Sequence, residues 1–179
     1  PIRQHIRQDD MPLHIPPPPT IIVLIAKHQS IGNLLTWVKC SFLQHLFPEA
    51  RILPILLGKQ SRTLVEALSD SLWTLFAKRI SSTLFVVTAN MTSNADETQG
   101  NRETQQVIDW IAQGDWQSLI EAAESRRISS CGAGCVAAIL LFNEKLGGEV
   151  EILRRGSSLP MVRDPKKVVH YAAFIIQSR

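Results

Sequence analysis

From Thr20 onward, short aliphatic runs alternate with segments whose apolar positions recur every three to four residues. TIIVLIA, residues 20–26, is the continuous β-branched run expected of a strand buried on both faces. Apolar residues at 34, 35, 38, 42, 43 and 46 fall on helical spacing, and Pro48 closes that helix. RILPILLG, 51–58, predicts a second buried strand ended by Gly58, with Pro54 calling for an edge position or a bulge. Ser61 is placed to cap a long helix in which Leu64, Val65, Leu68, Leu72, Leu75 and Phe76 form one stripe. TLFVVTA, 83–89, predicts a third strand. Asn90 to Arg102 is polar and without period, so it reads as a loop at the carboxyl end of that strand. Two helices are expected near 103–113 and 115–125, separated by Gly114 with Asp115 as cap. Another, from about 133 to 146, ends at Gly147-Gly148, and EVEILRR and KVVHYAAFII close the chain as strands. The alternation predicts an α/β fold: a layered domain with a central mixed sheet flanked by helices.

Residues 1–19 differ in character from the rest of the chain. They are polar and end in Pro16-Pro17-Pro18-Pro19, a run that favours polyproline II because each ring fixes φ. The segment reads as a stiff lead-in to the first strand, with a docking site for a proline-binding domain as the alternative. Residues 20–179 form a single domain on this reading. Of the 179 residues, 45% are hydrophobic, which excludes a disordered chain, and no apolar run approaches the ~20 residues of a spanning helix. Lys plus Arg number 19 against 16 Asp plus Glu, an excess too small, without a basic stripe, to predict a nucleic-acid partner. A membrane partner is not expected either. Three cysteines cannot all pair within one chain and no apolar leader opens the sequence, so a reducing, cytoplasmic setting is expected.

Three features could carry chemistry. The polar stretch after TLFVVTA lies outside the carboxyl end of a strand, the usual ligand position of an α/β sheet. It holds Asn90, Thr92, Ser93, Asn94, Asp96 and Glu97, groups suited to lining a polar pocket, with no strong base beside a nucleophile. SSCGAGC, 129–135, directly precedes an apolar helix, so Cys131 faces unpaired amide donors and is a candidate metal ligand or reactive thiol. Read more plainly, Cys131 and Cys135 are small apolar fillers. His28, just past the first strand, could ligate a metal or shuttle protons, or simply be a hydrogen-bonded structural residue. His45 and His170 fall within a helix and a strand and are assigned no role. No zinc knuckle, P-loop, HExxH helix or GxSxG elbow is present.

The order of these features resembles the Memo family, which includes AmmeMemoRadiSam system protein B and is similar in fold to the class III extradiol dioxygenases. RRISSCGAGCVAAILLFNEKLGGEVEILRRG and VVHYAAFII resemble its Cys-Gly motif, following helix and closing strands. LFVVTANMTSN resembles its strand ending in Ser-Ser-Asp, SFLQHLFPEARILPILLG its helix and next strand, and IIVLIAKHQ its strand ending in Gly-Pro-Asn-His-His. The resemblance covers about residues 20–177 and implies a dioxygenase-like α/β fold. The family's metal pocket draws on two His residues and the Cys of Cys-Gly. His28 matches one of those histidines and Cys131 the Cys, whereas no Pro-His-Ala-Gly supplies the other His. The family's Asp is Asn90 here and its following His is Ser93, so these two residues line what remains of the pocket. The chain is also short between His28 and Phe42, where the family carries a longer segment.

A non-haem iron site usually takes three protein ligands, and replacing Asp by Asn removes a charge that would favour a cation. The resemblance therefore implies a divergent, catalytically silent member with a degenerate metal site and no cofactor, binding a peptide or small molecule in the cleft. The alternative is a redox enzyme using iron or copper held by His28, Cys131 and a third, unrecognised ligand. Radical-SAM system partners are implied by the family name alone.

Overall fold

The computed structural model describes residues 18–27, 32–95, 97–161 and 168–177, with the side chains of 32–37 and 93–95 excepted. In chain order the elements are β1 (Ile21–Lys27), α1 (Gly32–Leu46), β2 (Arg51–Leu57), α2 (Arg62–Phe76), a 3-10 turn (Ala77–Ser82), β3 (Thr83–Thr88) and β4 (Thr92–Ala95), followed by α3 (Glu97–Gln113), α4 (Trp116–Glu124), α5 (Ala133–Glu144), β5 (Glu149–Ser157) and β6 (Val168–Gln177).

The α/β character stands, but the described strands do not form one central mixed sheet. They make a parallel sheet in the order β2-β1-β3 and an antiparallel sheet in the order β4-β6-β5. In β1, Ile22, Val23, Leu24 and Ile25 are fully buried, as a strand covered on both faces requires. Val23 and Ile25 pack with Leu72 and Phe76 of α2 and with Cys135 and Phe142 of α5. Ile22 and Leu24 point the other way, against Leu43 of α1 and Ala50. Successive strand residues face opposite ways, so one β-branched run serves two layers. Pro54 sits in β2, an edge strand among the described residues, as the proline predicts, but β2 is not the buried strand expected: only Leu57 of it is buried.

α5 is apolar on nearly every side, the pattern of a helix enclosed by its neighbours. One face packs on the parallel sheet through Cys135 and Phe142. Ala133, Ala137, Ala138 and Leu140 join a second cluster with Leu119 and Ile120 of α4, Val107 and Ile111 of α3, and the inner side of β6. Asp115 caps α4 as expected, its carboxylate accepting from Ser118 N at 2.9 Å. Ser61 is the N-cap residue of α2, but its hydroxyl makes no capping bond.

The stretch 90–102 is not a loop. It contains β4 and the first turns of α3, which begins at Glu97 rather than near 103. Its apolar content is too low to reveal a period, yet Gly100 and Thr104 bury one face of α3 against the antiparallel sheet. The fold there depends on close approach: a Cβ on Gly100 would lie 2.5 Å from His170 Nε2.

Candidate cleft at the carboxyl edge of the parallel sheet

β1, β2 and β3 run parallel, so their carboxyl ends reach the same rim, where α5 begins. Cys131 stands at that rim, half-buried, two residues before α5. Its Sγ accepts from the backbone N–H of Asn90 at 3.4 Å, and Ser130 Oγ donates to Asn90 O at 2.7 Å. Asn90 itself is exposed. Ser129 is tied to Glu103 of α3 through its backbone N–H and its hydroxyl. The SSC segment is thus stitched to the end of β3 on one side and to α3 on the other.

Gly132 explains why the two segments can meet. A Cβ there would lie 2.5 Å from Ala89 Cβ and 2.8 Å from Thr88 O, so only glycine permits this approach. Gln60, in the turn after β2, reaches over from the third strand end. Its Oε1 accepts from Gly134 N at 2.7 Å and its Nε2 donates to Ser130 O at 3.5 Å. Lys39 of α1 donates to Thr88 Oγ1 at 2.8 Å, which brings a cation to the same rim.

Of the residues singled out in the sequence, the structure brings Asn90 and Cys131 together. Ser93 lies in β4, where only its backbone is described, and His28 lies outside the described residues. The sequence reading missed Gln60, Ser130, Thr88 and Lys39. Gln60 and Thr88 could have been found by position, since both follow or end a parallel strand. Lys39 carries no such signal, because it is one of several polar residues on its helix. His170, assigned no role, is buried with its Nε2 unpartnered against Gly100.

Cys135, one helical turn past Cys131, is fully buried. Burial pushes its thiol up from 9.0 to about 12, assisted by Cys131 and opposed by the nearby Lys27 and Lys39. The folded thiol stays protonated where the unfolded one has already ionised. This contribution to stability is therefore whole below pH 9.0 and disappears as pH rises toward about 12. Chemical denaturation across that window is expected to show a fall in stability that the Cys135→Ala variant lacks. If both proteins show the same slope, Cys135 is not the group responsible.

The profile of the Memo-like protein family matches residues 37–175, which is most of the chain. This chain belongs to the Memo family. A MEMO1 family protein of Methanosarcina barkeri is 30% identical over 142 residues, covering 78% of this chain and 54% of the relative. One of Thermoplasma acidophilum is 24% identical over 139 residues, covering 77% of this chain and 50% of the relative. The chain spans about half the length of the curated relatives it matches. No described helix is long and apolar enough to cross a membrane.

The family resemblance implies a metal, so the donors at the rim decide whether one fits. Among the described residues, no three His, Cys, Asp or Glu side chains come together. Around Cys131 stand an amide, two hydroxyls and a lysine, a set that offers hydrogen bonds and positive charge rather than ligand lone pairs for a cation. Of the ligands that the resemblance implies, Cys131 stands at this rim and His28 lies outside the described residues.

Proposed function

We propose that this Memo-family chain acts by binding a small polar molecule or a peptide at the rim of the parallel sheet, on a dioxygenase-like framework that no longer performs redox chemistry. The observation that carries this reading is the neutral Asn90 beside Cys131, at the position to which the family resemblance gives an Asp. An acidic side chain there would add negative charge near the thiol. Asn90 instead uses its backbone N–H on Cys131 Sγ and its backbone C=O on Ser130, and leaves a neutral amide exposed at the rim. An amide, Lys39 and the Gln60 side chain offer donors for a polar ligand, and none is a general base near neutral pH.

The competing reading, a metal-dependent redox enzyme, needs His28 and Cys131 on one ion. Elemental analysis of purified protein, His28→Ala and Cys131→Ser separates the two. Iron and copper well below one equivalent, and the same in all three proteins, is the expected result. A full equivalent of either metal that both substitutions remove would overturn the binding reading and support the enzyme.

A further inference from the structure

β5 is acidic at one end, apolar in the middle and basic at the other. EVEILRR places Glu149 and Glu151 before Ile152 and Leu153, with Arg154 and Arg155 after them. All six of these residues are exposed, Leu153 to 55% and Ile152 to 39%. β5 pairs with β6 along one side. Its place in the order β4-β6-β5 leaves the other side without a strand among the described residues.

The ladder to β6 fixes which of the charges share a face. Glu151 stands opposite Ile175 and Arg154 opposite Ala173, two residues apart on β6, and the register shifts between Ile152 and Arg154. A bulge there absorbs one residue, so Glu151 and Arg154 stand on the same face of the sheet although three positions separate them. Val150 turns to the other face and packs on the core, as do Phe174 and Ile176. Neither Glu151 nor Arg154 takes part in an ion pair among the described residues.

We propose that β5 is a self-association surface, on which a second copy of this chain lays its own β5 antiparallel about a two-fold axis between Ile152 and Leu153. That axis sets Glu151 of each copy opposite Arg154 of the other, and it brings the exposed Ile152 and Leu153 of both copies together at the centre. The order of charges selects this occupant. Turned end for end, acid, apolar and base become their own complement, so a copy of β5 is a strand that matches it at both ends. A parallel pair would lay acid on acid and base on base, and the same charges disfavour unrelated strands. The contact is one strand wide, which puts the dimer in the small, transient class of interfaces and makes it sensitive to salt.

Sedimentation equilibrium on the full chain at low ionic strength, carried to high micromolar concentrations, tests this. A monomer–dimer equilibrium is expected. Arg154→Glu and Glu151→Arg are each expected to raise its dissociation constant at least about tenfold, because each exchanges two attractions for two repulsions. An equimolar mixture of the two variants is expected to regain the affinity of the unsubstituted protein, since acid again meets base in the mixed pair. The proposal is overturned by a chain that stays monomeric, by association that neither substitution weakens, or by a mixture that associates no better than its components. Should a variant not fold, hydrogen exchange on the unsubstituted chain decides instead. Amides of β5 are then expected to exchange more slowly as protein concentration rises, and exchange independent of concentration overturns the assignment.

Discussion

Phe142→Ala is expected to lower the stability of the fold by about 3–5 kcal/mol, a large share of the total for a domain of this size. Phe142 is 2% exposed and joins α5 to both of its neighbours. Its ring meets Trp73 of α2 edge-on, with centroids 6.0 Å apart, and Phe85 of β3 at 5.1 Å, and Phe85 in turn meets Phe76 at 5.6 Å. Removing the ring forfeits its burial and leaves a cavity that its two ring neighbours, Trp73 and Phe85, cannot close. Urea denaturation checks the value, with Leu75→Ala, at a site 64% exposed, as a control expected to change stability by no more than about 0.5 kcal/mol. A loss at Phe142 as small as that of the control would mean that this ring does not hold α5 against α2 and β3.

Gly132→Val is the second substitution with a large expected effect, about 1–3 kcal/mol or more, because the new side chain would strike the backbone of Thr88 and Ala89 rather than a yielding side-chain tip. The consequence reaches the cleft. Forcing the SSC segment away from β3 breaks the Asn90 N–H to Cys131 Sγ contact and the Ser130 to Asn90 bond together. Cys131 in the variant is therefore expected to react faster with a thiol reagent, while buried Cys135 remains protected until the protein unfolds. Unchanged reactivity at Cys131 and unchanged stability would show that the approach of Gly132 to β3 does not organise the rim.

Of the four site residues named from the sequence, Cys131 and Asn90 lie on local signals and are seen together at the rim. Cys131 precedes an apolar helix and Asn90 follows an apolar strand, and both positions can be read without knowing which strands are neighbours. The partners that hold them were less legible. Gln60 and Lys39 reach the rim from α2's entry and from α1, across sequence separations of 70 and 49 residues to Ser130 and Thr88. Lys39 in its helix gives no hint of such a destination, and Gln60 shows only that it follows a strand end. The α3 boundary failed for a related reason: Gly100 faces the sheet because it is small enough to fit against His170, and size at a contact leaves no periodic trace.

Patterning along the chain determined the kinds of element, their order, the burial of β1, the edge placement of β2 and the apolar character of α5. Those features come from how side chains distribute between water and protein at periods of two and 3.6, a property each segment carries by itself. Tertiary structure alone decided that the strands divide into two sheets and that Gln60 and Lys39 meet the cysteine rim. Strand partners and hydrogen-bond partners are chosen among distant segments by shape and by unmet backbone groups, and no local run of residues records that choice.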